Sequence, residues 1–326
     1  MQANYLLKAI IVIVLTILSL QVIANEQQTK ELRIGYQKYG NLVLLKNRST
    51  LDERLAKEGI KIKWIEFPAG PQLLEGLNVG SIDFGTVGET PPIFAQAANA
   101  DLVYVANEIA APKSEAILVP KGSTIKSVAE LKGKRVALNK GSNVHYLLVK
   151  ALDEVGLKYS DIKPVYLTPS DARVAFESNQ VDAWAIWDPF QAAAETQIQA
   201  QNLRDGTGIV DNYQFYIASR SYAEKNPQIL TALVEELQKI GDWPTNKPEE
   251  VTDIIAPVIG LSKEATSLAV TRKKYGTQYI TPDVIKYQQK IADTFYDLKL
   301  IPKKLTVGEI IWSPESSSPS DQAHSN

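Results

Sequence analysis

Residues 32–85 read LRIGYQKYGNLVLLKNRSTLDERLAKEGIKIKWIEFPAGPQLLEGLNVGSIDFG, and the order of elements in this stretch decides the fold. An apolar strand spans residues 32–36. A helical segment follows over 42–58 and stops at Gly59, the residue type that tolerates the left-handed turn after a helix. Residues 60–67 carry apolar side chains at the alternate positions 60, 62 and 64, as a strand with one buried face does. A short helix over 72–77 then leads through a turn to the strand Ile82-Asp83-Phe84-Gly85.

The same order recurs about a hundred residues on. A strand over 135–139 precedes a helix over 143–155 that stops at Gly156. A strand over 162–167, a helix over 171–176 and the strand Val181-Asp182-Ala183-Trp184 complete it, so Asp83 and Asp182 hold the same place in two copies. Each copy is a β-α-β-α-β unit, the pattern of a parallel sheet covered by helices. The fold class is therefore α/β, with two similar lobes. Residues 113–119 read as a strand running from the first lobe to the second, and 212–219 as a strand returning. The expected division is 30–115 for the first lobe, 116–212 for the second and 213–312 for the return. Helices over 227–240, 248–258, 262–271 and 282–298 belong to that return and are expected to pack on the first lobe.

The chain has 326 residues, with 35 Lys plus Arg against 37 Asp plus Glu, a formal charge of −2. This balance, without a long basic run, argues against a nucleic-acid partner. There is no cysteine, which excludes a disulfide framework, a thiolate nucleophile and an iron–sulfur cluster. Two histidines are present and one lies in the polar tail, so a multi-histidine metal site is excluded. Residues 1–24 read as a cleaved signal peptide, with Lys8 before the apolar run AIIVIVLTILSL and small residues at the cleavage position. Residues 313–326 read as a disordered tail, and a soluble exported monomer is expected.

In open parallel sheets ligands sit at the carboxyl ends of the strands. That rule selects the loops 37–41, 68–72 and 85–92 in the first lobe, and 140–145, 168–171 and 184–188 in the second. Two of these loops open helices, after Thr90 and after Ser142. Capping alone accounts for either one. Together, at matching positions, they favour an anion held by helix N-termini. His145 reads either as a donor to that anion or as a surface or capping histidine. The segment WAIWDPF over 184–190 places three aromatics at a strand end. Trp187 is expected to wall the cleft, while Trp184 reads equally as core. Glu89 and Asp188 fit beside an anion only if they cap a helix or close the lobes. Arg173 reads as solvated or salt-bridged.

These residues carry a family resemblance. IGYQK over 34–38, EFPAGPQ over 66–72, LNVGSID over 77–83, PPIFAQAA over 91–98, YLTP over 166–169, VDAWAIWDP over 181–189 and IPKK over 301–304 resemble the periplasmic aliphatic-sulfonate-binding proteins of ATP-binding-cassette importers. The resemblance spans roughly residues 31–312. It implies a bilobal periplasmic-binding-protein fold (type II) with two crossover strands. It also implies an alkanesulfonate ligand, a cognate membrane permease as partner, a role in sulfur acquisition, and neither catalysis nor a cofactor. The candidate ligand-binding set is Gln37, Thr86, Gly88, Glu89, Ser142, Asn143, His145, Trp187 and Asp188, with no metal site. Gly88-Glu89-Thr90 replaces the Gly-Asp-Ile of the sulfonate binders, and Asn143-Val144-His145 replaces a more Ser-rich stretch. Both changes bear on ligand size or head group, so taurine, a sulfate ester or another small anion is the alternative. An enzyme of this fold resembling a thiamine-pyrimidine synthase would carry a cysteine-rich motif, which is absent.

Overall fold

The computed structural model describes residues 30–38 and 40–314. The expected signal peptide lies outside the described residues, as does the expected tail beyond Pro314. Eleven strands are described: β1 (Lys30–Tyr36), β2 (Ile60–Glu66), β3 (Phe84–Gly88), β4 (Leu102–Glu108), β5 (Glu115–Val119), β6 (Arg135–Leu138), β7 (Lys163–Tyr166), β8 (Ala183–Trp187), β9 (Gln201–Asp205), β10 (Gln214–Ser219) and β11 (Thr277–Tyr279). The helices are α1 (Asn41–Arg48), α2 (Thr50–Ala56), α3 (Gly70–Asn78), α4 (Pro91–Ala97), α5 (Asn143–Glu154), α6 (Pro169–Glu177), α7 (Phe190–Gln197), α8 (Arg220–Lys225), α9 (Pro227–Gln238), α10 (Trp243–Asn246), α11 (Pro248–Ile259), α12 (Lys263–Arg272) and α13 (Pro282–Asp297).

The strands form two sheets, in the orders β11-β4-β10-β3-β1-β2 and β7-β6-β8-β5-β9. In the first, β1 runs parallel to β2 and β3. In the second, β6 runs parallel to β7 and β8. These parallel triplets are the two repeats. Each is extended by strands that arrive from the other side. β10 lies antiparallel between β3 and β4, and β5 antiparallel between β8 and β9. Both sheets are therefore mixed, and the chain passes between them twice.

The repeat extends to side chains. Asp83 Oδ2 accepts from the Arg33 amide at 2.9 Å and Nε at 3.0 Å. Asp182 Oδ2 accepts from the Arg135 amide at 2.8 Å and Nε at 3.2 Å. In each lobe one aspartate thus ties the first strand to the entry of the third. A charge-assisted ring of this kind is a stronger clasp than a neutral turn.

Three elements depart from expectation. The helix expected over 42–58 breaks at Ser49, whose φ is 55°. The Ser49 amide donates to the Leu45 and Lys46 carbonyls, closing α1, and its carbonyl accepts from Glu53, opening α2. The break lets Leu42, Leu45, Leu51 and Leu55 all reach the core, each fully buried. Second, β4, LVYVANE, is buried along its whole length. Such a run has no alternation to betray a strand. Third, the C-terminal helices do not all stay on the first lobe. α9 packs on α1 and α2, but α12 packs against α7, which follows the second sheet's β8. The cause is a set of ion pairs described below. One apolar core is continuous through both lobes, joining Leu73 and Ile93 to Leu147 and Trp184.

Candidate functional site

The carboxyl ends of β1, β2 and β8 and the turn that opens α6 face one cavity of about 150 Å³. Gln37, Lys38, Glu66, Phe67 and Pro68 line one side, and Pro169, Ser170, Trp187, Pro189 and Phe190 the other. Trp187 and Phe190 meet edge to face, their ring centroids 6.1 Å apart. This is the preferred aromatic geometry and gives a stiff apolar wall. Lys38 makes a loose 3.8 Å pair with Glu66, and both side chains are exposed. Gln37 is held by donating from Nε2 to the Thr86 carbonyl at 3.0 Å. Thr86 Oγ1 is buried and has no partner among the described residues. A larger crevice of about 280 Å³ opens between α3, α4 and Lys140-Gly141. Its walls are mainly helix flanks rather than strand ends, so the strand-end rule favours the first cavity.

The lobes touch where β3 ends and α5 begins. A Cβ on Gly88 would lie 2.9 Å from Asn143 Cβ, so only glycine allows this approach. Asn143 Nδ2 donates to the Glu115 carboxylate and to Asn212 Oδ1. Asn212 Nδ2 donates to the Ala111 carbonyl at 2.9 Å. Both passages between the sheets are thereby tied to the first turn of α5. Gly88→Val should hold the lobes apart. We expect a larger radius of gyration in small-angle scattering and an unfolding free energy lower by about 1–3 kcal/mol, the usual cost of overpacking. Wild-type values on both measures would mean that this junction is not close-packed.

The remaining candidates sort themselves by their partners. Ser142 Oγ donates to the Asn139 carbonyl at 2.7 Å and makes no side-chain cap on α5. The α4 N-terminus is a poor anion site. Pro91 and Pro92 fill its first two positions and carry no N–H, and the Ile93 amide donates to the Thr90 carbonyl. Trp184 packs on Phe176 in the core. Arg173 pairs with Glu177 at 2.6 Å.

Of the nine candidates, Gln37 and Trp187 line the cavity, while Thr86, Gly88, Glu89, Ser142, Asn143, His145 and Asp188 lie away from its lining, which narrows the sequence reading. His145 is fully buried. Its Nδ1 accepts from the Gly141 amide at 3.2 Å, and its ring sits among Phe94, Tyr159, Tyr166 and Phe295. Burial lowers its pKa to about 3, with Lys140 pushing the same way. It is a neutral aromatic core residue and no charged donor. Glu89 is fully buried too. Its oxygens accept from the Tyr213 amide at 2.9 Å and the Tyr287 hydroxyl at 3.2 Å. Burial raises its pKa to about 8. Asp188 accepts from the Ala192 amide at 3.0 Å, capping α7, and pairs with Arg272 of α12 at 3.2 Å. Arg272 also pairs with Glu195. This is the link that draws α12 across to α7. Capping and closure were the terms on which Asp188 made sense in the sequence.

Sequence reasoning missed Glu66, Phe67 and the ion-pair partners Arg272 and Lys273. Lys38, Pro68, Pro169 and Ser170 stood inside the selected loops, and Phe190 in the quoted aromatic segment. Position in those loops was the signal that could have promoted them.

Two lobes, two passages between them and a cavity at the facing strand ends define a bilobal periplasmic-binding-protein fold. The chain belongs to the NMT1/THI5-like family, which matches residues 55–251. It is 45% identical, over 90% of its length and 92% of the relative's, to a protein of Escherichia coli (strain K12) named as an aliphatic sulfonates-binding protein. It is also similar to the solved alkanesulfonate-binding protein of Xanthomonas axonopodis pv. citri bound to MOPS. That match has a TM-score of 0.83 and 43% identity, covering 86% of this chain and 98% of the other. The solved periplasmic aliphatic sulphonate binding protein of Escherichia coli matches with a TM-score of 0.78 and 45% identity, covering 87% and 97%. Among the described residues no helix is long and apolar enough to cross a membrane.

Proposed function

We propose that this chain is the solute-binding protein of an ATP-binding-cassette importer. It captures an aliphatic sulfonate between its lobes in the periplasm, after removal of its signal peptide, and delivers it to a membrane permease for sulfur acquisition. The observation that carries this reading is the cavity at the strand ends, which sets an amide and a lysine opposite an aromatic wall. A sulfonate is an anion with an organic tail, and such a pocket complements both ends. The protein acts as a monomer without catalysis or nucleic acid. Residues 30–115 and the return over 213–312 form one lobe, and 116–212 the other.

The head group is held by Gln37 in this cavity, with Thr86 directly behind it, while Gly88, Ser142 and the Asn143 amide, which lie away from the lining, stand at the junction of the lobes. Lys38 and Ser170 join Gln37 in this set. Thr86 Oγ1, buried and without a partner, supports it, since a buried hydroxyl left unpaired is costly until something bonds to it. Glu89, His145 and Asp188 serve the scaffold.

Native mass spectrometry of protein purified from its own periplasm, followed by calorimetry with alkanesulfonates, taurine and inorganic sulfate, tests the reading. A retained sulfonate, and tighter binding of alkanesulfonates than of sulfate, are expected. Trp187→Ala should weaken an alkanesulfonate by about 1–3 kcal/mol through lost apolar contact, while changing the weak binding of sulfate little. Tightest binding to inorganic sulfate would refute the reading. Preference for taurine would move it to the alternative ligand.

A further inference from the structure

Lys38 and Pro189 line a second cavity as well as the first. This crevice measures about 40 Å³ and lies between α1, α11 and α12. Val43 and Leu44 of α1, Ile255 and Ile259 of α11, and Val270 of α12 form its walls, all of them buried. Lys273 also borders it, but its ammonium is spent on the Glu108 carboxylate. The crevice is therefore an aliphatic slot with its one deep charge neutralised. Its partition from the first cavity is a proline of one lobe and a long, flexible lysine of the other. The Lys38 ammonium is held by no more than a loose pair to exposed Glu66, so its stem can turn aside at little cost.

We propose that this crevice is the tail subsite, and that the protein selects unbranched alkyl chains that extend past Lys38. The inference rests on the sulfonate reading above. With the head group in the first cavity, Lys38 stands beside the anion, and its own methylenes lie along the ligand chain. The tail then enters the slot formed by α1, α11 and α12. Trp187 and Phe190 wall the first cavity around the first carbon of the chain, so Trp187→Ala should weaken alkanesulfonates of every length alike, and the tail beyond that carbon enters the slot. Space of about 40 Å³ admits about three water-sized groups, so about three carbons are accepted before the slot is full. The slot is built partly from α11 and α12, and α12 also reaches α7. Chain entry is thereby coupled to the contact that joins this helix to the second lobe.

Calorimetry with unbranched 1-alkanesulfonates of one to eight carbons tests the assignment. In the wild type, affinity should rise about fourfold per methylene over about three carbons, or about sixtyfold in all, and then level off. Ile255→Phe, which fills the slot, should bring the long-to-short affinity ratio close to one. Ile259→Ala, which enlarges it, should carry the rise to longer chains. The second variant keeps the test valid if the first does not fold. A ratio untouched by both variants but flattened by Trp187→Ala would overturn the subsite and leave the sulfonate reading standing. A wild-type series without any rise would do the same. Failure of every sulfonate to bind would overturn both.

Discussion

Replacing Arg272 with leucine should lower the unfolding free energy by about 3–5 kcal/mol at pH 8, the cost of leaving a buried carboxylate without its partner. Asp188 is fully buried, and both of its oxygens lie 3.2–3.3 Å from Arg272 Nη1. Burial pushes its pKa up to about 6, while Arg272 and the Ala192 amide pull it back. Because the folded value lies above the ordinary 3.8, the native state holds the proton more tightly than the unfolded chain. Stability from this group is therefore lost as pH rises through about 6. Without Arg272 the folded pKa climbs further and the loss extends to higher pH. The deficit of Arg272→Leu should accordingly be smaller at pH 5 than at pH 8, where the carboxylate must stay charged. Urea titrations at the two pH values measure it. Asp188→Asn in the same background should restore part of the loss, since it removes the unpaired charge. Equal deficits at both pH values would show that Arg272 acts through packing alone. Asp188 lies between Trp187 and Pro189, two cavity residues, so the same variants should also loosen ligand binding.

The limits of the sequence reading follow from the kind of information each feature needs. The two repeats were legible because they rest on local order: a strand, a helix ended by glycine, and Asp83 and Asp182 at matching places. The strand-end rule then placed Gln37 and Trp187 on one cavity without any knowledge of contacts. Partners far apart in the chain left no trace. Asp188 and Arg272 are 84 residues apart, and Glu108 and Lys273 are 165 apart. Nothing in composition or periodicity pairs them. His145 misled for a related reason. A histidine in the first turn after a Gly-Ser loop reads as a polar end, and only the packing of Phe94, Tyr159 and Phe295 around it reveals a core position. Pro91 and Pro92 were visible throughout. Their missing amides already argued against an anion at the start of α4, and the positional match between the two loops outweighed them.

Stability should fall as pH rises from about 6.5 to 8, and Glu89 should be the main cause. Glu89 ends the passage from β3, with Tyr213 and Tyr287 bonded to its oxygens. Burial is the largest influence on it and raises its pKa to about 8 against an ordinary 4.5, with Asp211 adding to the rise. Glu115 is raised by burial first and by Glu89 second. An acid with a raised folded pKa is protonated in the native state while already ionised in the unfolded chain. Its stabilisation is present in full below about pH 4.5 and is lost progressively up to about pH 8. At 1.36 kcal/mol per pH unit the full interval is worth up to about 5 kcal/mol. His145 works in the opposite sense. Its folded pKa of about 3 lies below the ordinary 6.5, so its stabilisation is lost as pH falls from 6.5 to 3. Asp188 is half-ionised near pH 6 and adds little further change beyond about pH 7. A maximum at about pH 4–4.5 should result, since above it the losses from Glu89, Glu115 and Asp188 outweigh the gain from His145, and the alkaline arm belongs to the Glu89–Glu115 pair. Glu89→Gln keeps an acceptor for the Tyr213 amide and cannot ionise. It should flatten that arm and match or exceed the wild type at pH 8, at the cost of about 1 kcal/mol at pH 5 for imperfect hydrogen bonds. Chemical denaturation at half-unit steps from pH 4 to 9 would read this directly. A wild-type curve that is level between 6.5 and 8, or a Glu89→Gln curve with the same slope, would place the proton elsewhere.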